Sequence, residues 1–179
     1  DLNDAAATLP NSYNSVENIT PLETPLSSTI NGAALATPVF LSLYAENDLR
    51  LDKYFAETDE KGFRKNKKAG SNNYLCTFRV GEIYLTAAEA AARLGELSQA
   101  RTRLLELMRK RYAPEAYEAK SVVVNAMDKE ALVQEILDER ARELAFEGHR
   151  WFDLRRSTRP RLEKVLDGTR YVLEENDAR

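Results

Sequence analysis

The chain has 179 residues, of which 43% are hydrophobic and 31% are charged, and its net charge is −3. This length and composition are typical of one globular domain, and the charge points to no particular class of partner. No apolar run approaches the roughly 18 residues that suggest a membrane span. The single cysteine, Cys76, excludes an internal disulfide.

Residues 1–49 are acidic and rich in turn-forming residues. They contain six acids and no Lys or Arg, and four of the six prolines lie there: Pro10, Pro21, Pro25 and Pro38. No hydrophobic period is sustained, so we interpret this segment as loops around a body that is built elsewhere. The apolar run 39–44, directly after Pro38, predicts a helical turn or two.

Residues 48–68 predict a β-hairpin. Residues 48–55 alternate apolar with charged side chains, which favours a strand, and a turn at 59–62 would bring residues 63–68 back as its partner. Four basic residues there could bind phosphate. Without interleaved aromatic residues, and beside an acidic segment, we interpret them as a solvated hairpin tip; they are Arg64, Lys65, Lys67 and Lys68.

Two helices joined by a glycine follow. Residues 79–94 predict a helix with one buried face, formed by Ile83, Tyr84, Ala87, Ala88, Ala91 and Leu94. Gly95 is a favourable end for it, because glycine adopts a positive φ without steric cost. A second helix begins near Ser98 and ends before Pro114. It faces the first with Ala100, Leu104, Leu107 and Met108.

The spacing of this helical hairpin is similar to that of a tetratricopeptide repeat. Residues 81–114 match its length of about 34 residues and its pattern of small residues at the crossing and larger ones in the groove. A single repeat cannot bury both faces. We therefore expect other helices to cover its outer face.

The last helical segment starts after a connector. Residues 112–127 are interpreted as irregular, with Val122–Val124 extended. Asp128 is a predicted N-cap, with Glu130 placed favourably in the first turn. The helix is predicted from Lys129 to about Phe146, with a bend at Gly148 and a continuation through residues 151–156.

This third helix places charges where an apolar stripe is expected. Leu132 and Ile136 begin the stripe, and Glu143, Glu147 and Arg150 lie farther along it. Burying such ions costs several kcal/mol each unless they are paired. We predict that these three form a half-buried lattice that ties the helix to the helical hairpin. Replacing Arg150 with Ala would then destabilise the fold by about 3–5 kcal/mol.

Helical spacing pairs the acids with cations, which argues against catalysis. The predicted pairs are Glu139–Arg142, Arg140–Glu143, Glu147–Arg150, Asp153–Arg156 and His149–Asp153. Glu143 and Glu147 could form a glycosidase dyad with His149 as acid or base. An arginine near each acid would instead lower its pKa, and the lone His disfavours a metal. We predict no catalytic, cofactor or metal residues, and we interpret His149 as a structural side chain.

A nucleic-acid interface is a further alternative. Residues 140–161 hold seven Arg and three acids, a charge of +4, and Trp151 and Phe152 lie among them. On an acidic chain this patch is weak. We interpret the aromatic residues as core and the arginines as extending outward; the arginines beside them are Arg155, Arg156, Arg159 and Arg161.

Three stretches resemble, in order, the SusD/RagB family. The most specific runs Glu139-Arg-Ala-Arg-Glu-Leu-Ala-Phe-Glu-Gly-His-Arg-Trp-Phe-Asp-Leu-Arg155. The others are Asn47-Asp-Leu-Arg-Leu-Asp-Lys-Tyr-Phe55 and Phe78-Arg-Val-Gly-Glu-Ile-Tyr-Leu-Thr-Ala-Ala-Glu-Ala90, which continues into Leu94-Gly95. Residues 171–179 resemble the lead-in to the family's closing segment.

The resemblance implies a nutrient-binding lipoprotein on the outer membrane of Bacteroidetes cells, exposed at the surface. It implies binding of glycans or peptides for delivery to a SusC-like TonB-dependent transporter, with no enzymatic activity, no cofactor and no nucleic acid. The implied fold is mainly all-α, with tetratricopeptide-like helix pairs packed with a loop-rich lobe. No signal peptide or lipobox cysteine is present. We therefore expect a C-terminal portion whose lipid anchor lies outside this chain.

Residues 1–179 are accordingly expected to form one SusD/RagB-like C-terminal region. It comprises a loop-rich lobe with a short hairpin (1–77), a tetratricopeptide-like helical hairpin (78–114) and the signature helix (128–157). The alternative is a helical-repeat scaffold that binds a protein and no small molecule.

No ligand-binding residue follows from the resemblance. A sugar site needs aromatic faces and a few hydrogen-bonding groups in a shallow recess. The tyrosines outside the regular core pattern are more typical of lids on the core than of ligand platforms. These residues and the neighbouring amides are Tyr13, Tyr44, Tyr74, Tyr112, Asn72 and Asn73.

Overall fold

The computed structural model describes residues 1–7, 9, 15–23, 35–68 and 74–175, with the backbone alone at 20–23, 74–77 and 166. Its helices are α1 Pro38–Leu41, α2 Arg50–Tyr54, α3 Val80–Leu94, α4 Leu97–Met108, α5 Pro114–Ala126, α6 Lys129–Glu143 and α7 His149–Arg156. Its strands are β1 Asn18–Glu23, β2 Leu35–Ala36, β3 Arg64–Lys65, β4 Tyr74–Arg79, β5 Leu162–Leu166 and β6 Thr169–Leu173. The predicted mainly helical class is confirmed.

The main core lies between helices α3, α4, α5 and α6. Helix α3 packs against both α4 and α6, and α5 lies against α4. The core residues are Leu85, Ala88, Ala91, Ala92, Ala100, Leu104, Leu107, Met108, Tyr112, Val124, Leu132 and Ile136. Alanines on α3 let the α3 and α4 backbones approach closely, as the repeat-like spacing predicts.

The predicted buried face of α3 is only partly correct. Ala88 and Ala91 are buried, whereas Ile83 is 42% and Leu94 77% exposed. Leu85 is completely buried instead. The core-facing stripe is therefore rotated from the predicted one, because α6 covers a second side of α3 that the periodicity alone did not reveal.

The predicted helix-end signals are confirmed. Gly95 has φ 85° and its N–H donates to the carbonyls of the last turn of α3. Asp128 accepts a 2.8 Å hydrogen bond from the N–H of Ala131, so it caps α6.

The predicted irregular connector is a helix. Pro114 occupies the first turn of α5, where its missing N–H has no intrahelical partner to lose, so it starts this helix rather than ending the previous one. Val124 points into the core, while Val122 and Val123 remain exposed. The extended interpretation of Val122–Val124 is wrong. β-Branched residues disfavour a helix only weakly, and the burial of Val124 in the core outweighs that preference.

The strand predicted at 48–55 is wrong, because residues 50–54 form helix α2. Arg50 and Tyr54, four residues apart, are both completely buried on one helical face. The alternation of apolar and charged residues was misleading, because one of the charged residues, Arg50, is buried in the protein. The returning segment is confirmed in part: Phe55 bridges Asn66, and β3 pairs with β2.

The loop-rich part has its own small core of Leu2, Ala36, Tyr44, Tyr54 and Phe55. Phe146, in the turn between α6 and α7, joins it through edge-to-face contacts with Phe40 and Phe55 at ring-centroid distances of 5.7 and 6.1 Å. This turn therefore connects the signature segment to the loop-rich residues, and Phe146 and Gly148, at φ 63° and 85°, form the break between α6 and α7.

The strands form three separate antiparallel pairs: β1 with β4, β2 with β3, and β5 with β6. The β1–β4 pair brings residues 18–23 alongside the segment that leads into α3. Across the described part of the chain, no helix has the length and apolar content needed to cross a membrane.

Leucines on α3 provide a test of this packing. Replacing Leu85 with Ala should lower the free energy of unfolding by about 2–5 kcal/mol, because it leaves a cavity in the main core. Leu94→Ala is the matched control and should change it by less than about 0.5 kcal/mol. Urea unfolding followed by circular dichroism measures both, and equal losses would contradict the rotated face.

Candidate functional site

The centre of the signature segment is a buried carboxylate bound by three arginines. The Glu143 carboxylate accepts hydrogen bonds from Arg79 Nη1 at 2.6 Å, from Arg50 Nη1 at 3.0 Å, and from Arg111 Nε at 3.0 and 3.1 Å. All four side chains are at most 2% exposed. These arginines come from β4, α2 and the segment after α4, so one carboxylate joins three parts of the chain.

A second acid of α6 extends the network toward the loop-rich part. Glu139 receives Arg50 Nη1 at 2.7 Å and Arg142 Nε at 2.8 Å. Asp48 binds the other edge of the Arg50 guanidinium, at 2.7 and 2.9 Å. The Arg50 guanidinium also lies over the Tyr112 ring, 5.3 Å from its centroid. Every face of this buried arginine is therefore occupied.

The third acid of the signature segment lies in the turn after α6. Glu147 receives Arg79 Nε and Nη2, both at 2.9 Å, and forms a short ion pair with the ammonium of Lys68. Lys68 also donates to the carbonyl of Glu143 at 2.7 Å. Glu17 completes the set by accepting from Arg111 Nη2 at 2.6 and 2.7 Å.

We call this set the central network. Its five carboxylates and five cations balance in charge: Glu17, Asp48, Glu139, Glu143 and Glu147 against Arg50, Lys68, Arg79, Arg111 and Arg142. At its edge Arg142 also binds Glu135 at 2.6 Å, and Lys120 balances Glu135 at 3.0 Å. Balance of this kind is what allows ions to be buried, because an unpaired buried charge costs several kcal/mol.

A glycine makes room for the network at the start of α3. A Cβ on Gly81 would lie 2.7 Å from Nη1 of Arg79 and 3.0 Å from Oε1 of Glu143. Both atoms are fixed by the ion pairs described above. Only glycine therefore lets α3 begin this close to Glu143.

The cations hold the acids of the signature segment in the ionised form. Burial by itself would raise the pKa of Glu143, but the guanidinium groups of Arg111, Arg79 and Arg50 hold it well below its usual range. The pKa values of Glu139 and Glu147 are lowered as well. Burial acts to raise them, but the neighbouring cations outweigh it.

The lysine of the network has the opposite shift. Burial lowers the pKa of the Lys68 ammonium to about 8, although the Glu147 carboxylate acts to raise it. The prediction of a solvated basic tip is therefore wrong for Lys68, which is completely enclosed. Lys67 and Lys65 are exposed as predicted.

These properties decide what the carboxylates can do. A glycosidase acid must carry a proton near neutral pH, whereas Glu143 and Glu147 are ionised and saturated with donors. His149 lies outside the central network, with Nδ1 3.8 Å from Glu82 of α3. Within the described residues, no group of three or more His, Cys, Asp or Glu side chains is placed to hold a metal ion.

Two of the five predicted helical pairs are present, Glu139–Arg142 and Asp153–Arg156 at 2.8 and 2.7 Å. The other three pairs are not formed. Arg140 pairs with Asp153 across the turn at 3.1 Å, and the acids at 143 and 147 bind cations far away in sequence. The helix ends at Glu143 and α7 begins at His149, so residues on the two helices do not share one helical register.

Arg150 is not part of the predicted lattice. Its side chain is exposed and takes part in none of the ion pairs formed within the described ranges. The prediction for Glu143 and Glu147 is correct in that both are buried ion-pair members. The prediction for Arg150 is wrong, because the break between α6 and α7, with Phe146 and Gly148 at positive φ, takes α7 out of the helical register of α6.

The prediction that Trp151 and Phe152 are core residues is also wrong. They are 43% and 63% exposed, whereas Asp153 on the same helix is buried. Arg155 and Arg159 are exposed as well, and Arg156, whose side chain is 43% exposed, binds Glu89 of α3 at 2.6 Å.

The tyrosines considered as ligand platforms divide into two groups. Tyr44 and Tyr112 are buried, and their hydroxyls donate to the Arg142 carbonyl at 2.8 Å and to Glu139 at 3.4 Å. They are lids on the core, as predicted. Tyr13, Asn72 and Asn73 lie outside the described residues, and at Tyr74 the structure describes the backbone alone.

A second, smaller network lies between α3, α6 and α7. The Glu89 carboxylate accepts hydrogen bonds from both terminal nitrogens of Arg156, at 2.6 and 2.7 Å, and from Nε of Arg93 at 2.9 Å. Arg140 binds Asp153 through Nε. Unlike the central network, this one borders solvent: an open cavity of about 350 Å³ is lined by Thr86, Glu89, Ala90, Arg93, Arg140 and Arg156.

Sequence reasoning missed the cations that neutralise the signature acids. Arg50 and Arg79 stand inside the two other family-like stretches, 47–55 and 78–90, so the stretches themselves were the available signal. Arg111 and Lys68 stand in neither. No local pattern marks them, since their partners are 32 and 79 residues away.

A model of the SusD family matches residues 33–175 of the chain. Among curated proteins, no sequence matches it. Solved structures that share its fold include two SusD-related proteins. One is a SusD-like carbohydrate binding protein from Bacteroides vulgatus, with TM-score 0.53 and 21% identity over 76% of this chain and 32% of that one.

The other is a SusD superfamily protein from Bacteroides fragilis, with TM-score 0.58 and 22% identity over 77% of this chain and 31% of that one. At this level of identity the likeness concerns the fold. The chain spans about a third of the length of each of these proteins.

The central network predicts which arginines matter for stability. Arg111→Ala should lower the free energy of unfolding by about 3–5 kcal/mol, since it leaves Glu143 and Glu17 short of a buried partner. Arg150→Ala is the control and should change it by no more than about 0.5 kcal/mol. Thermal and urea unfolding measure both. A larger fall in the free energy of unfolding for Arg150→Ala than for Arg111→Ala would contradict this network and support the lattice predicted from the sequence.

The lowered pKa values predict acid sensitivity. Because Glu139, Glu143 and Glu147 have lower pKa values in the folded than in the unfolded protein, their stabilisation is complete above about pH 4.5 and is lost as the pH falls further. Urea unfolding between about pH 7 and pH 3 should show the free energy of unfolding falling steeply below 4.5.

High salt separates this effect from surface charges. About 0.5 M NaCl screens exposed pairs such as Arg161–Glu163 far more than buried ones. The acid-dependent loss should persist there. A pH profile that becomes flat in salt would assign the loss to the surface.

Proposed function

The chain belongs to the SusD family, and we propose that it serves to bind a nutrient glycan at the cell surface. The observation that carries this proposal is the family match over residues 33–175. One of the two structural neighbours is named a carbohydrate binding protein, which supports a glycan as the ligand class ahead of a peptide.

The state of the acids supports binding rather than cleavage. Hydrolysis of a glycosidic bond by the usual pair of carboxyl groups requires one that donates a proton and one that is free to attack or to activate water. Glu143 and Glu147 are enclosed by cations and ionised, so the signature segment supplies neither group. We propose that the protein is not an enzyme.

The proposed role includes delivery to a SusC-like TonB-dependent transporter of the outer membrane. In this proposal the protein is held at the outer face of that membrane by an N-terminal lipid anchor, and the ligand passes from it to the transporter. The support is family membership, as for the glycan.

A protein-binding scaffold is the second candidate. The observation that favours it is the exposure of apolar side chains on two helices: Val122 and Val123 on α5, and Trp151 and Phe152 on α7. Such residues are common in protein interfaces. This role and glycan binding give different outcomes in the experiment below.

Affinity electrophoresis of the native protein tests the proposal. Gels that contain individual polysaccharides should retard it in at least one case, and calorimetry with oligosaccharides from that polymer should give a saturable heat. Reducing ends should not accumulate on long incubation. No retardation by any member of a broad panel, together with binding to peptides or to a protein alone, would contradict glycan binding.

Delivery to a transporter has its own test. A tagged form, purified from gently solubilised outer membranes, should carry a TonB-dependent transporter with it, identified by mass spectrometry. Its recovery without any transporter, under conditions that preserve other membrane complexes, would contradict the partnership while leaving glycan binding intact.

A further inference from the structure

The open cavity between α3, α6 and α7 has unused hydrogen-bond donors on its wall. Arg140 is only 6% exposed, and its Nε and Nη1 are bound to Asp153 and Thr86. No described residue accepts a hydrogen bond from its Nη2. Nη2 is also not among the fully enclosed unpaired atoms, and Arg140 is one of the residues that line the cavity.

A second arginine adds donors at the rim. Arg93 is half exposed, and Glu89 binds only its Nε, at 2.9 Å. Within the described ranges, its two terminal nitrogens have no acceptor. Two guanidinium groups, one fixed at the base and one at the rim, therefore present free N–H groups to the same space. A guanidinium with free donors is the side chain best suited to bind a carboxylate.

The wall also offers groups that suit hydroxyls. Glu89 is held ionised, because burial, which would raise its pKa, is outweighed by Arg156 and Arg93. Its Oε2 accepts one bond, from Arg156, and retains room for another. The Thr86 hydroxyl accepts from Arg140 at 3.2 Å, which leaves its own proton to donate.

Charge narrows the class of ligand. Arg93, Arg140 and Arg156 contribute +3, and Glu89 and Asp153 contribute −2, so the cavity carries +1. One carboxylate neutralises this charge, whereas a doubly charged phosphate would exceed it and meet the Glu89 carboxylate. A neutral sugar would leave the free guanidinium donors without an anionic partner. The cavity volume of about 350 Å³ lies at the small end for ligand sites.

We propose that this cavity binds a uronic acid residue of an acidic glycan, with the carboxylate on Arg140 and Arg93 and ring hydroxyls on Glu89 and Thr86. The proposal rests on the glycan-binding function proposed above and names its substrate class. It adds a recognition site on the helical side of the molecule, away from the buried central network.

Calorimetry with matched oligosaccharides tests this site in the native full-length protein. The probes are short oligosaccharides of galacturonic acid and of glucuronic acid, and their methyl esters, which keep the sugar rings and remove the charge. Binding of at least one acid form should be about tenfold tighter than that of its ester, since a charge-assisted hydrogen bond contributes about that factor.

Two arginine variants locate the binding. Arg93→Gln should weaken binding of the acid form by about tenfold, and it should fold because Glu89 keeps both bonds to Arg156. Arg103→Gln is the control: Arg103 is similarly exposed and pairs with Glu106 on α4, outside the cavity. It should leave the affinity unchanged.

The outcomes separate this proposal from the proposed function. Equal affinity for acids and esters, or equal effects of the two variants, would overturn the uronate site. Binding of neutral glycans alone would overturn it too, while glycan binding would stand. Failure to bind any glycan, acidic or neutral, would overturn both.

Discussion

The structure depends on one shared carboxylate. Glu143 is completely buried and receives hydrogen bonds from Arg50, Arg79 and Arg111, which lie in three separate segments of the chain. Removing one partner of such a set leaves the rest as uncompensated buried charge. Each segment is thereby held in place by the others, and the helical core and the loop-rich residues are joined by ion pairs as well as by apolar contacts.

This arrangement explains why family-like stretches that are far apart in sequence occur together. Stretch 47–55 supplies Asp48 and Arg50, stretch 78–90 supplies Arg79 and Gly81, and the signature segment supplies the acids that bind both arginines. The signature is therefore a structural element. It resembles an active site in composition, but its acids have no free hydrogen-bonding capacity for a substrate, so the proposed binding of a glycan would use other surfaces.

The cavity between α3, α6 and α7, for which we propose such a role, differs from the central network in two respects. Both are built from arginines and acids, but the central network balances five charges of each sign in the interior, while the cavity has one cation in excess and donors that face solvent. The same side-chain chemistry stabilises the fold where it is saturated and becomes available for binding where it is not.

Local sequence determined the helices whose signals are local: α3 with its Gly95 end, α4 with its four core-facing residues, and the start of α6 at Asp128. It also determined that acids of the signature segment would be buried and paired, since an apolar stripe interrupted by charges permits little else.

Tertiary structure alone decided which cations pair with them. Arg111 and Lys68 bind acids that are 32 and 79 residues away in sequence. Arg50 is buried on a helix, although the alternating pattern of its segment predicts a strand. Ion pairs are chosen by proximity in the folded chain, and no periodicity encodes proximity between distant segments. Arg150 and Trp151 are exposed for a related reason: the break between α6 and α7 sets their direction, and the helical pattern on either side does not.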